Sequence, residues 1–397
     1  MNFNLSEKGL RIAPSITLEI TAKAKAMKDS GIDVISFGAG EPDFNTPENI
    51  QNEGIRAIKD GLTRYTPASG IVELKKAICE KLKADNGLEY KPSNIIISSG
   101  AKHSIHNALM AILNPGDEVI FAVPYWVSYP ELVRLADGIP VYIETEEEND
   151  FKFNVDDLNR VLTNKTKAII LNSPSNPTGS IYTEEELRDI AEWAVKNNIF
   201  VISDEIYEKL IYDGKNHVSI AAINEDIKRL TILINGMSKS HAMTGWRIGY
   251  AAAHEDIVKV MSNIQSHATS NPCSISQYAS VIGLLGDQSS VEEMKKHFVE
   301  RRDYMAETIN SIKGLSCRKP EGAFYIMVNF TQLIGKTIKG KVINSSLDFA
   351  NLLLDEGKVA VVPGIAFGDD KYVRLSYATS LENIKKGLER IKQIVEE

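Results

Sequence analysis

The sequence predicts an α/β fold: a mixed, mostly parallel sheet with helices on both faces, joined to a smaller α+β domain. Three observations carry this. Short apolar runs rich in β-branched residues recur through the middle of the chain. Segments with helical spacing separate several of them, and near-continuous apolar strands alternating with helices indicate a parallel sheet covered on both sides. After about residue 285 the pattern changes to charged helices and a few isolated strands.

The elements follow in order. Residues 94–98 (NIIIS) form a first strand, followed by a helical pattern from Ala101 to about Leu113 and a turn at NPGD. Residues 117–122 and 139–143 read as strands, as does the apolar run 167–172, which ends in the turn-rich SPSNPTG. Thr183 and Glu186 have the spacing of a capping box, and Leu187, Ile190, Ala191 and Ala194 then recur on one helical face. Strands at 199–203, 230–235 and 248–253 complete the series. Toward the end come EGAFYIMV (321–328), a helix near 347–356 and YVRLSYA (372–378). The expected organisation is a segment 1–45 packing with the small domain, a large domain 46–285 and a small domain 286–397.

Composition narrows the function. With 397 residues the chain is long enough for two cores. A formal net charge of −8 disfavours non-specific binding to nucleic acid and to anionic membranes. The cysteines, Cys79, Cys273 and Cys317, are odd in number and far apart, which points away from a disulfide framework and toward a reducing cytoplasm. No apolar stretch approaches the length of a membrane-spanning helix. His103 and His106 lie at i,i+3, but no carboxylate or cysteine joins them at ligand spacing, so no metal is expected.

Ligands of such sheets bind outside the carboxyl ends of the strands, and the chemically suggestive residues lie there. Lys239 follows the strand LTILIN; a lysine partly withdrawn from water has a lowered pKa and a nucleophilic amine suited to a Schiff base, although a solvated loop lysine fits the same residues. Asp204 ends a strand, where a carboxylate could face a pyridinium nitrogen or simply cap a helix, and Tyr207 stands three residues on. Asn176 in SPSNPTG offers an amide to a phenolate oxygen, in a loop whose composition also suits a plain turn. At SSGAKHS, Gly100 permits close backbone approach and the helix N-terminus suits phosphate; Lys102 there opposes the helix dipole unless anions are also bound. Trp126 can stack on a ring or pack in the core. Arg247 can pair with phosphate. Arg374, inside an apolar strand, requires a carboxylate from the protein or from a substrate.

Taken together, GAGEPDF (38–44), RYTPASGI (64–71), NSPSNPTG (172–179), SDEIY (203–207), SKSHAMTGWRIG (238–249) and VRLSYA (373–378) resemble the class I/II aminotransferases among fold-type I pyridoxal-phosphate enzymes. The resemblance runs along essentially the whole chain, and within the family it is to the prokaryotic aspartate aminotransferase subgroup. It implies pyridoxal 5′-phosphate as cofactor, amino-acid and 2-oxo-acid substrates, and a homodimer with shared active sites. By resemblance Lys239 is the Schiff-base lysine and proton carrier, and Asp204 the partner of the pyridine nitrogen. Asn176 and Tyr207 bond the ring oxygen, Trp126 stacks on the ring, and Gly100, Ala101, Ser238 and Arg247 hold phosphate, joined by Tyr65 from the other subunit. Arg374 anchors the α-carboxylate with Gly40, Trp126 and Asn176 nearby. Lys102 and Ser15, the latter from the other subunit, meet the side-chain carboxylate, which favours aspartate and glutamate. Alternatives on the same scaffold are alanine, aromatic, broad-range or aspartate/prephenate transamination. Relatives that accept prephenate carry lysine where Ala13 stands here, with Arg11 the nearby cation. Gly236 replaces a serine that binds phosphate in other relatives.

Overall fold

The structure, a computed structural model, describes residues 3–14 and 16–396. Ser15 lies outside the described residues.

The main sheet contains the strands β1 (Ile95–Ser98), β2 (Glu118–Val123), β3 (Ile139–Glu144), β4 (Thr166–Asn172), β5 (Phe200–Asp204), β6 (Thr231–Gly236) and β7 (Gly249–Ala252). Their spatial order is β1-β7-β6-β5-β4-β2-β3. The pairs from β6 through β3 are parallel, whereas β7 runs antiparallel to both β6 and β1. The sheet is thus mixed and mostly parallel, as the sequence predicts.

The two-residue period of the strands divides each apolar run between two faces. Ile96, Ile170, Ile202, Ile232 and Ile234 pack with Ile105 and Leu109 of helix α1 (Ala101–Ile112). Ile169, Leu171 and Val201 point the other way, onto Leu187, Ile190, Ala191 and Ala194 of helix α2 (Glu184–Asn197). Helix α2 begins where its capping box sets it: Thr183 Oγ1 accepts from the Glu186 amide at 3.3 Å, and the Glu186 carboxylate accepts from the Thr183 amide at 2.7 Å. Both faces are therefore covered, which is why the strands read as unbroken apolar runs.

A second, smaller body of structure is built on a three-stranded antiparallel sheet. Its strands are β8 (Tyr325–Asn329), β9 (Val362–Pro363) and β10 (Tyr372–Ser376), with β10 in the centre. Its core gathers Phe298, Phe324, Phe349, Ile384 and Leu388. The N-terminal stretch joins it: Ile35–Ser36 pairs in parallel with Val359–Ala360, and Phe37 packs in the same cluster.

Strand register aligns the ends of the main sheet. Asn172 lies opposite Asp204, Asp204 opposite Ile234, and Ser98 opposite Gly249. The loops after β1, β4, β5 and β6 consequently leave from one edge. At that edge β7 approaches the start of α1 so closely that a Cβ on Gly249 would lie 2.2 Å from the Ala101 nitrogen and 2.4 Å from the Gly100 carbonyl carbon. Since the obstacle is backbone, it cannot rotate away. Gly249→Ala is expected to lower unfolding stability by about 1–3 kcal/mol, the usual cost of overpacking. Chemical denaturation would measure it, and an unchanged midpoint would contradict this packing.

Candidate active site

A cleft of about 460 Å³ opens at this sheet edge, walled by the ends of β4, β5 and β6 on one side and by Gly38–Glu41, Tyr325 and Arg374 on the other. Lys239 stands between the two walls, half-buried on the loop after β6. Its Nζ donates to the Gly40 carbonyl at 2.5 Å. Desolvation lowers its pKa to about 8, helped by Arg247 and Arg374 and opposed by Glu41 and Asp204.

Asp204 ends β5 on the cleft floor, only 4% exposed. Tyr129 donates its hydroxyl to Oδ2 at 2.7 Å, and the Ile206 amide donates to Oδ1 at 3.3 Å. Among the described residues no cation is bonded to this carboxylate, and burial raises its pKa to about 6. The adjoining loop is tied down by Asn172, whose Nδ2 donates to the Asp204 carbonyl at 2.9 Å and whose Oδ1 accepts from the Asn176 amide at 2.8 Å. The Asn176–Pro177 bond in this loop is cis.

At one end of the cleft the backbone forms a cradle open to an anion. Gly100 caps α1 with φ +85°, and a Cβ there would lie 2.3 Å from Arg247 Nη2. The first amides of α1, at Ala101 and Lys102, have no protein acceptor among the described residues, as expected of a helix N-terminus open to a ligand. Arg247 donates to the carbonyls of Thr244 (2.9 Å) and Ser99 (3.2 Å), not to a carboxylate. Ser238 lines the same cleft. A Cβ at Gly236 would sit 2.8 Å from the Ile248 carbonyl oxygen, so that position leaves no room for a side chain.

Arg374, in the central strand β10, is 3% exposed. It donates to Asn176 Oδ1 at 3.0 Å and to the Gly38 carbonyl at 3.1 Å. Tyr325 lies 4.3 Å and Phe367 4.9 Å from its guanidinium. Among the described residues no carboxylate pairs with it, and its Nε has no acceptor. A buried guanidinium in that state calls for an anion from outside. Asn176, with its carbonyl committed to Arg374, keeps its amide N–H groups for a ligand. Tyr207 shares a 2.9 Å hydrogen bond with the hydroxyl of Tyr325. Lys102 stands exposed at the mouth, its Nζ 5.0 Å from the ring of Trp126 and without a carboxylate partner among the described residues. The cleft thus brings together Lys102, Lys239, Arg247 and Arg374 against only Glu41 and Asp204, a local excess of positive charge in an acidic protein.

The cleft is therefore lined by Gly40, Ala101, Lys102, Trp126, Asn176, Asp204, Tyr207, Ser238, Lys239, Arg247 and Arg374, with Gly100 directly behind. Tyr65 is not part of it: the side chain is 91% exposed. Four participants went unnoticed in the sequence. Tyr129 follows Trp126 by three residues in PYWVSYP (124–130), and Tyr325 lies within EGAFYIMV (321–328). Asn172 and Glu41 lie within NSPSNPTG and GAGEPDF, where a strand-ending amide and a loop carboxylate carry no local sign of their partners.

This fold and site define a class. The sequence profile of aminotransferase class I and II matches residues 32–391, and the chain belongs to that family. It is 52% identical over 391 residues to the aspartate aminotransferase of Bacillus sp. (strain YM-2), covering 98% of this chain and 99% of that protein. It is 45% identical to a probable aspartate/prephenate aminotransferase of Aquifex aeolicus (strain VF5), covering 100% of both. Its structure resembles that of the aspartate aminotransferase from Rhizobium meliloti, with TM-score 0.96 and 43% identity over 100% of this chain and 99% of that one. The Thermus thermophilus enzyme with maleate gives TM-score 0.93 at 39% identity, covering 99% and 100%.

The lowered pKa of Lys239 has a sign that can be tested. The amine is neutral above about pH 8 and protonated below it. In ligand-free protein, acetylation of Lys239 by acetic anhydride, followed by peptide mass spectrometry, should rise through a midpoint near 8 and then level off. Exposed lysines should continue to gain reactivity at higher pH. A Lys239 profile matching theirs would contradict the desolvated environment.

Proposed function

We propose that this protein is an aspartate aminotransferase that uses pyridoxal 5′-phosphate, moving the amino group of L-aspartate to 2-oxoglutarate and yielding oxaloacetate and L-glutamate by a ping-pong cycle. The observation that carries the reading is Arg374: a buried guanidinium with an unpartnered Nε and, among the described residues, no carboxylate partner, facing the same cleft as Lys239.

The donor set suits the cofactor. The cradle of Gly100, Ala101, Ser238 and Arg247 would hold its phosphate. Lys239 would bind it covalently, Asn176 and Tyr207 would donate to its ring oxygen, and Asp204 would face its ring nitrogen beneath Trp126. When bound, the cofactor supplies an electron sink that makes the Cα proton of an amino acid removable. The protein contributes the rest. Arg374 and Asn176 orient the α-carboxylate, so that Cα is held near Lys239. The neutral fraction of the Lys239 amine takes the Cα proton and, as ammonium, carries it until it is returned. Asp204, buried among apolar atoms, keeps one negative charge on the floor of the cleft. Lys102, a cation at the mouth with no carboxylate partner among the described residues, would meet the side-chain carboxylate of aspartate or 2-oxoglutarate. A substrate without that carboxylate leaves Lys102 without an anion. Among the described residues Arg11, the cation near Ala13, is exposed and paired with Glu7 at 3.1 Å, which does not favour prephenate.

We further propose a division into a large domain (46–285) and a small domain (286–397) that includes the N-terminal 1–45, and a homodimer in which Tyr65 and Ser15 reach the partner's cleft. The exposure of Tyr65 supports the second point. The unpaired thiols of Cys79, Cys273 and Cys317 suit a cytoplasmic location.

Two substitutions separate the roles. Arg374→Ala should lower kcat/KM for aspartate and 2-oxoglutarate alike by about 10²–10⁴-fold, the range expected when a buried charge pair loses one member. Lys102→Ala should lower it about two- to fivefold for aspartate while sparing alanine, in line with a more exposed ion pair. Steady-state kinetics should give parallel double-reciprocal lines. Intersecting lines would remove the ping-pong scheme, and unimpaired aspartate turnover by Lys102→Ala would remove the aspartate assignment.

A further inference from the structure

We infer that Tyr129 is a positioning residue for the reaction: its hydroxyl fixes the carboxylate of Asp204 and holds it ionised, and this sets how strongly the bound cofactor withdraws electrons. The inference rests on the proposed role of Asp204 toward the ring nitrogen.

The geometry is direct. Tyr129 is 2% exposed, and its hydroxyl donates to Asp204 Oδ2 at 2.7 Å, the shorter of the two bonds this carboxylate accepts among the described residues. The other comes from the Ile206 amide at 3.3 Å. A hydrogen bond to an ionised, desolvated carboxylate is among the stronger kinds, so the anion depends chiefly on the phenol. The ring is held by its surroundings: Trp126 meets it edge-on at 5.3 Å and Phe121 lies 6.0 Å away. Burial, and then the charge of Asp204, push the Tyr129 phenol well above its ordinary pKa, so the donor persists throughout the neutral range. The other ionisable groups facing Asp204 are Lys239, Tyr207 and Glu205. Glu205 is itself satisfied by Ser203, Ser219 and His217 at 2.7–2.9 Å, which among the described residues leaves Tyr129 as the side chain bonded to the Asp204 carboxylate.

Without the phenol, Asp204 would hold a proton more tightly and share more of the one on the ring nitrogen. The ring would then withdraw electrons less, and the nitrogen that Lys239 contributes to the cofactor linkage would stay protonated to higher pH. Tyr129→Phe keeps the packing and removes one bond of the charged class, equivalent to about 10-fold or more in an equilibrium.

The test uses holoenzyme forms of wild type, Tyr129→Phe, Asp204→Asn and the double variant. It follows the pH midpoint of the visible absorbance band, the affinity of the apo-proteins for pyridoxal phosphate, and kcat. In Tyr129→Phe the midpoint should rise by about one pH unit and kcat should fall about 10-fold. In the Asp204→Asn background the same change should move neither. An unmoved midpoint in Tyr129→Phe, or an equal shift with Asp204 already removed, overturns the inference. An Asp204→Asn enzyme with unaltered band and affinity instead overturns the role given to Asp204. Should Tyr129→Phe not fold, 3-fluorotyrosine placed at 129, a near-isosteric and stronger donor, should move the midpoint down; no movement would equally overturn the inference.

Discussion

Parallel strands in register leave their carboxyl ends on one edge, and the chemistry depends on that alignment. Because Asn172 faces Asp204 across β4 and β5, and Asp204 faces Ile234 across β5 and β6, three loops distant in sequence begin within a few ångströms of one another. Slipping β5 by one residue would turn Asp204 to the opposite face of the sheet. The apolar cores on both faces hold the register: β1, β2, β4 and β5 each have isoleucine or valine committed to both sides, so no shifted pairing buries them equally well.

The opposite wall comes from elsewhere in the chain. Arg374 lies in the central strand of the small sheet, and the backbone of Gly38–Glu41 leads out of the Ile35–Ser36 strand that pairs with Val359–Ala360. Lys239 and Arg374 each reach into this stretch, the one to the Gly40 carbonyl and the other to the Gly38 carbonyl. The cleft is therefore joined across the two sheets by hydrogen bonds to backbone.

The seven strands of the main sheet were legible because their runs are largely apolar and end in turn residues, the interior ones because both of their faces are covered. The capping box at Thr183 was legible for an equally local reason. The site was legible where a residue type conflicts with its surroundings, as with Arg374 in an apolar strand, or where a whole motif carries a resemblance, as with SKSHAMTGWRIG. Tyr129 and Tyr325 were not, because a buried tyrosine in an aromatic segment reads as core and its partner lies far off in sequence: Asp204 for the first, Tyr207 for the second. Glu41 escaped because its relation to Lys239 exists only once the N-terminal stretch folds against the loop after β6.

The acceptors that hold the cleft's cations are neutral. Lys239 and Arg374 rest on glycine carbonyls and an amide oxygen, Arg247 on the carbonyls of Thr244 and Ser99. Had these cations been paired with carboxylates, an arriving ligand would have to evict a charge; here it displaces only dipoles, a much weaker rival for a guanidinium. The arrangement is one of exchangeable solvation, in which the backbone stands in for water until something ionic replaces it. It discriminates by charge before it discriminates by shape. Sulfate, phosphate or chloride in the medium would compete for the same berths, so the ionic make-up of the surroundings becomes part of the affinity the protein shows for its substrates.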